Sequence, residues 1–231
     1  MRVVTTCHKQ GLDDYGHRWL KGRKLWPKGT DFQFYTEGFA VDCPGKDFRD
    51  MPEFSQWKLE HAYYIAPDWP WEVVRYAHKV FAACDALYDY KGVGVWLDAD
   101  CVTGVKIPKG LIEKQLDGAY LACYQRTGLY TETGLWIVDC SHPEHKAFLD
   151  AWRDWYFSGR FKKLQHWHDC MTLDATIRQF GDRIKVKNLS GEFHKDLHPQ
   201  AKTELGRYVD HCKGERKAAG FSPENVFRKA A

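Results

Sequence analysis

Residues 93–102 read VGVWLDADCV. Four of the five residues from Val93 to Leu97 are apolar, and a short aliphatic and aromatic run bounded by Gly92 and Asp98 predicts a buried strand. The strand stops at Asp98, where the chain leaves the sheet, and a second carboxylate, Asp100, follows two residues later. In an open α/β sheet ligands collect at the carboxyl ends of strands, and two carboxylates there can hold a divalent cation. The spacing alone is weak, because 20 Asp in 231 residues produce about 1.7 Asp-x-Asp matches by chance. A turn-forming aspartate pair is the competing reading.

Working outward, the stretch 71–88 places Val73, Val74, Ala77, Val80, Phe81, Cys84 and Leu87 at the three-to-four spacing of an amphipathic helix. At the start of the chain, residues 2–6 (RVVTT) predict a strand, followed by a polar loop and a helix to about Trp26 that Pro27 and Gly29 close. Residues 31–35 alternate as a second strand, and 36–52, rich in Gly, Pro and Asp, reads as loop. Beyond the opening motif, 118–124 and 135–138 are short apolar runs, 145–157 and 170–180 have helical patterns, and 184–186 reads as a strand. Strands alternating with helices predict an α/β fold, one central mixed sheet with helices on both faces. No repeat or low-complexity linker appears, so the expected organisation is one domain over 1–198 with a C-terminal segment, 199–231, folded onto it.

Composition bounds the function. With 44% hydrophobic and 28% charged residues the chain can bury a full core, and a net charge of +3 excludes a bulk polybasic nucleic-acid protein. The surplus is local: 199–231 holds seven basic and four acidic residues, and everything before it sums to zero. The eight cysteines include no CxxC pair, which excludes a zinc ribbon and a thioredoxin-type motif and reads as buried thiols of a reduced protein. The first residues carry no apolar leader and no stretch is apolar enough to span a bilayer, so a soluble cytoplasmic protein is expected.

The charged C-terminal segment contains HCKGERK, in which His211, Gly214 and Lys217 form an HxxGxxK pattern. Its residue frequencies predict about 0.08 chance occurrences, more than twentyfold fewer than for the aspartate pair. A histidine that ligates metal, a glycine that lets backbone come close and a lysine that neutralises charge suit a metal-bound diphosphate. A solvated basic tail is the plain alternative. Together the two motifs resemble the GT-A nucleotide-sugar glycosyltransferases, in particular the retaining, glycogenin-like family 8. The order of VVTT, a helix carrying Arg75, the DxD and a closing HxxGxxK extends that resemblance over most of the chain. Two features depart from it: Ala218 and Ala219 stand where the family has Pro-Trp, and the loop after the DxD strand is short.

The resemblance implies a GT-A fold and a set of roles. Asp98, Asp100 and His211 would ligate manganese or magnesium, with Asp98 shared with the ribose, and mixed Asp/His ligation favours manganese. Lys217 and the backbone near Gly214 would hold the diphosphate, Arg75 would reach donor phosphate or sugar, and Thr5 and Thr6 would line the nucleoside. The implied reaction transfers a glucose- or galactose-type sugar from a UDP-sugar to a hydroxyl, with retention. Glu132, in the ETG before LWIVD, would line the donor sugar and acceptor, or belong to an ordinary turn. Asp169, after QHWH, would bind sugar hydroxyls or cap the helix that follows. The acceptor stays open between a hydroxymethylated pyrimidine in DNA, a saccharide, a lipid-linked sugar and a protein hydroxyl. Two other classes stay in view. His166, His168 and Asp169 form half of a metallohydrolase ligand set, with His194 and His198 further histidines, and the basic tail alone would suit a nucleic-acid binding module. The ten tryptophans read as core packing.

Overall fold

The computed structural model describes residues 1–64, 73–190 and 198–225. In chain order, β1 (Arg2–Thr6) runs into a helical stretch made of α1 (Lys9–Gly11), a π-helical turn (Leu12–Gly16) and α2 (His17–Gly22). β2 (Asp31–Tyr35) and α3 (Pro52–His61) precede α4 (Val73–Leu87), β3 (Val93–Leu97) and β4 (Cys101–Thr103). Next come α5 (Leu111–Leu116), β5 (Leu121–Tyr124), β6 (Glu132–Asp139), α6 (His145–Phe157), α7 (Asp169–Phe180) and β7 (Val186–Asn188). β8 (Val209–His211) and the short α8 (Arg216–Ala219) follow.

Six strands form one sheet in the order β2-β1-β3-β6-β5-β7. β1 is parallel to β2 and β3, β6 runs antiparallel to β3 and β5, and β7 is parallel to β5. The sheet is mixed, as expected. Side chains alternate between its faces with period two and feed two cores. Val4, Trp96, Trp136 and Val138 point to one face, packed by α3, α4, α6 and α7. Val3, Val95, Leu97, Leu135 and Ile137 point to the other, covered by Trp19 of α2 and by Leu111, Ile112 and Leu116 of α5. Trp96 and Trp136 are register partners that stack with ring centroids 6.2 Å apart, a pairing worth about 0.5–1.5 kcal/mol beyond its buried area. Seven tryptophans are buried (Trp19, Trp26, Trp57, Trp96, Trp136, Trp152 and Trp155), so their default reading as core holds for them.

The amphipathic pattern of α4 is realised: every apolar residue that defined it is buried. Its expected start at Trp71 lies outside the described residues, as do His194 and the last six residues. Elsewhere the structure corrects the sequence reading. Residues 36–52 are not all loop, since Thr36 bridges to Asp47 and a helical turn covers Phe48–Asp50. α3 then follows with Phe54 and Trp57 as its buried residues, too few apolar positions to reveal a helix by periodicity. The strand expected at 184–186 is displaced to Val186–Asn188. The ETG residues open strand β6 instead of forming a loop before it. All eight cysteines are free thiols. Among the described residues, no helix is long and apolar enough to cross a membrane.

Candidate active site

The sheet ends its third strand at Leu97, and the next residues turn sharply: the Cys101 amide donates to the Asp98 carbonyl at 2.8 Å, and the Asp98 amide donates to Gly134 of β6, also at 2.8 Å. The turn feeds β4, and β4 pairs antiparallel with β8 so that Cys101 faces His211. That small two-stranded sheet carries the C-terminal motif back to the DxD across a separation of over a hundred residues. His211 Nε2 lies 3.1 Å from Asp100 Oδ1, and Lys217 Nζ lies 3.0 Å from Asp100 Oδ2. Gly214 turns the chain between them with φ +66°, a left-handed conformation that favours glycine. His211 and Asp100 are both buried. Burial pushes the Asp100 carboxyl up, but the neighbouring His211 and Lys217 charges overcome it and hold it well below the usual carboxylate range.

The imidazole of His211 needs room, and Gly134 provides it. A Cβ at Gly134 would come within 2.2 Å of the ring, so the glycine of ETG is a packing requirement of the histidine. Glu132, two residues earlier and on the same side of β6, is buried behind that ring. Its Oε1 stands 3.7 Å from His211 Nδ1, and its Oε2 is 3.0 Å from Lys213 Nζ and 3.7 Å from His198 Nε2. Burial again opposes ionisation, and the charges of His211, Lys213 and His198 overcome it, so the Glu132 carboxyl titrates far below its ordinary value. Burial, reinforced by the nearby His211 charge, lowers His198 to about 3.

The sequence reading missed Lys79. This side chain, one helical turn beyond Arg75 on α4, contacts Asp98 Oδ1 at 2.9 Å and Asp169 Oδ2 at 3.0 Å. Thr133 Oγ1 donates to the same Asp169 oxygen at 2.6 Å, and Trp96 Nε1 donates to Asp98 Oδ1 at 2.6 Å. The two carboxylates outweigh burial and raise the Lys79 ammonium above its ordinary value, so Lys79 is a fixed cation. Its signal was available in sequence, since positions four apart on an amphipathic helix share a face. Asp169 is the first residue of α7 and does not cap it; His168 holds the cap position, without a side-chain cap bond.

These groups adjoin a cavity of about 610 Å³ lined by Thr6, Cys7, His8 and Tyr15 from the β1 end, by Arg75, His78 and Lys79 from α4, and by Trp96, Asp98, Asp100 and Lys217. Thr6, Arg75, Asp98, Asp100 and Lys217 thus meet on one wall system. Thr5 does not reach it: the residue is fully buried beneath, and Thr6 Oγ1 donates to the Tyr35 carbonyl. His166 and His168 do not gather metal ligands; their rings stack on one another at 5.4 Å, and His168 also lies 4.8 Å from Tyr76. Among the described residues the groups with metal-ligand spacing are Asp100, Cys101 and His211, and Glu132, His198 and His211.

The donor set fits a divalent cation. Asp100 Oδ1 is buried without a directed hydrogen bond, and His211 Nε2 lies 3.1 Å from it, close enough for both atoms to serve one cation as ligands. Asp98 Oδ2 is 3.9 Å from the same nitrogen. Cys101 is a poor third ligand, because its thiol donates to the Gly134 carbonyl and burial raises it far above its ordinary value.

No protein-family model matches the chain, and no curated protein matches its sequence. Solved structures match its fold. The galactosyltransferase LgtC in complex with donor and acceptor sugar analogues superposes with a TM-score of 0.52 at 13% identity, over 99% of this chain and 94% of that one. Mouse xyloside xylosyltransferase 1 gives 0.52 at 12% identity, over 82% and 84% of the two chains. The glycosyltransferase GlyE of Streptococcus pneumoniae TIGR4 gives 0.50 at 13% identity over 87% of this chain, which spans only 46% of the GlyE chain. At these identities the likeness establishes the fold, and that fold is GT-A.

Proposed function

We propose that this chain is a metal-dependent, retaining glycosyltransferase that moves a glucose- or galactose-type sugar from a UDP-sugar to a hydroxyl acceptor. One observation carries the reading: Asp98 and Asp100, at the end of the third strand, meet His211 and Lys217, from the far end of the chain, beside a single cavity. Asp98, Asp100 and His211 would hold Mn²⁺, or Mg²⁺, and when bound it would act as a Lewis acid that neutralises charge on the departing diphosphate. The residues of the chain supply the rest. Arg75, Lys79 and Lys217 put three cations on the cavity wall against a polyanion. Lys217, paired with Asp100 here, would turn to the phosphate oxygens and stabilise the charge that grows as the glycosidic bond breaks. Thr6, Cys7, His8 and Tyr15 mark the nucleoside end. Asp169, held by Lys79 and Thr133, would accept hydrogen bonds from the sugar hydroxyls and fix its orientation. Retention follows when the acceptor oxygen arrives on the face the phosphate leaves and a phosphate oxygen takes its proton.

The side chains favour a saccharide or other small hydroxyl acceptor over a hydroxymethylpyrimidine in DNA. Three basic residues of the C-terminal segment, among those described, are engaged internally: Lys217 with Asp100, Lys213 with Glu132 and Arg216 with Glu224. The half-buried rings of Tyr76, Tyr130, His166 and His168, next to Asp169, form an aromatic wall, a surface suited to the apolar face of a sugar ring. The test is a screen of UDP-sugars for Mn²⁺-dependent turnover, with and without saccharide and DNA acceptors. Turnover that disappears in Asp100→Ala and His211→Ala is the expected result. Wild-type turnover in both variants overturns the metal site. Mn²⁺-independent DNA binding without any turnover would instead identify a nucleic-acid binding module.

A further inference from the structure

His211 is held between two buried carboxylates that approach opposite edges of its ring. Asp100 Oδ1 stands at Nε2, 3.1 Å away, and Glu132 Oε1 stands at Nδ1, 3.7 Å away. The ring has no freedom to turn out of this position: it is buried, it packs edge-on against His198 with centroids 4.7 Å apart, and its far side rests where Gly134 lacks a side chain. Glu132 is fixed as well. Its Oε1 accepts the Gly134 amide at 3.2 Å, Lys213 holds Oε2 at 3.0 Å, and Arg126 lies 3.9 Å away. The carboxylate is buried and is not among the residues that line the cavity, and its oxygens are taken up by Gly134, Lys213 and the edge of the His211 ring. The His211 Nδ1 atom is buried and makes no hydrogen bond, and Glu132 Oε1, at 3.7 Å, stands just outside hydrogen-bond reach of it.

We propose that Glu132 is a positioning residue for the metal site: its carboxylate accepts the Nδ1 proton of His211 and so leaves the Nε2 lone pair for the cation shared with Asp98 and Asp100. This replaces the sequence expectation that Glu132 touches the sugar, and it rests on the metal-dependent reading above. The physical reason is general. A neutral imidazole carries one proton and offers one lone pair, and the hydrogen bond at one nitrogen decides which nitrogen ligates. Without Glu132 the proton can move to Nε2, which then donates to Asp100 and is lost as a ligand.

The experiment is direct Mn²⁺ titration of the purified full chain, with free Mn²⁺ followed by electron paramagnetic resonance, in wild type, Glu132→Ala, Glu132→Gln and Asp100→Ala. Removing such a partner typically weakens metal affinity about 10- to 100-fold. That loss is expected for Glu132→Ala, with partial recovery in Glu132→Gln, whose amide oxygen still accepts the Nδ1 proton. A loss of packing alone would not be rescued in this way. With Mg²⁺ bound, ¹⁵N spectra should place the His211 proton on Nδ1 in wild type and shift it in Glu132→Ala. Should the alanine variant fail to fold by circular dichroism, the glutamine variant decides. The proposal is overturned if a folded Glu132 variant binds Mn²⁺ like wild type while Asp100→Ala does not. If wild type and Asp100→Ala bind Mn²⁺ equally, the metal reading falls, and the role of Glu132 falls with it.

Discussion

Two cavities of comparable size adjoin α4, one along its first half and the other along its second. One, of about 610 Å³, runs from the end of β1 to the DxD turn; the other, of about 520 Å³, opens among α3, α4 and α6 and is lined by Lys46, Phe54, Phe81, Asp85, Asp150 and Arg153 among others. Both have charged walls, so volume and charge do not tell them apart. Burial does. Asp100, on the wall of the first, and Asp169, joined to that wall through Lys79, are buried, and each is tied to a cation or histidine from a distant part of the chain. In the second, the charges are more open to water: the Asp89 side chain is 83% exposed, and Arg153 pairs with Asp150 one helical turn away with both side chains exposed. Desolvating a charge is costly, so a fold that brings several charges together out of water has a use for them, whereas charges left in water need no such explanation.

The strongest way to break this contrast is to delete the same chemistry in both places. Asp100→Ala should reduce UDP-sugar turnover by roughly a thousandfold, the scale on which preorganised electrostatic stabilisation is lost, while Asp150→Ala should leave it unchanged. A steady-state assay in saturating Mn²⁺ compares the two, and equal effects would remove the distinction. Lys79→Met is next in size. It leaves Asp98 and Asp169 without their shared cation, and breaking a buried pair from one side costs about 3–5 kcal/mol. Urea unfolding should show that loss, with turnover falling as well, whereas Arg153→Met should change neither appreciably.

The first cavity was partly legible from sequence, and the reasons differ by residue. Asp98 and Asp100 follow an apolar strand with a clear signal, and HxxGxxK is rare enough to stand out. The α4 pattern fixed one face of that helix but not its function: Arg75 drew attention as the basic residue, while Lys79, on the same face and deeper in the fold, makes the contacts. Glu132 was found, but its surroundings were not. Its environment depends on β8 pairing with β4 and on His198 arriving from the C-terminal part of the chain, and no local periodicity encodes such long-range meetings. α3 escaped for a different reason, since a helix with two buried residues in ten has almost no amphipathic pattern.

A glycine sharpens the comparison at the level of shape. Gly134→Ala places a Cβ 2.2 Å from the His211 ring, and overpacking of this kind costs about 1–3 kcal/mol. The protein should still fold, because the shift is local, but His211 must move away from Asp100. Mn²⁺ affinity should therefore fall by about tenfold or more, in the range seen when a ligand's orientation is lost. Unchanged affinity would show that the ring position is not what makes the site.

The protonation of His78, on the wall of the first cavity, tests the burial argument through pH. Burial lowers His78 to about 4 in the folded protein from an ordinary 6.5. Between those values the unfolded chain binds a proton that the folded chain refuses, so stability rises with pH across this window and falls on acidification. The slope is at most about 1.4 kcal/mol per pH unit for one group. His78→Gln should flatten the dependence between pH 6.5 and 4, read from urea midpoints at several pH values. An unaltered slope would mean that His78 is solvated like the groups of the second cavity.

The smallest effect is expected at the second cavity itself. Lys46 and Asp85 approach to 2.8 Å with side chains 43% and 28% exposed, and Asp85 also accepts the Tyr35 hydroxyl. An ion pair this open to water is worth at most about 1 kcal/mol, because solvent screens the attraction and ordering the lysine costs entropy. Removing Lys46 also leaves Asp85 with its tyrosine donor and with access to water, so no buried charge is stranded. Lys46→Ala should accordingly move the urea midpoint only slightly and leave Mn²⁺-dependent turnover at the wild-type rate. A tenfold change in turnover would show that the second cavity takes part in the reaction, and that exposure of its charges is no guide to its role.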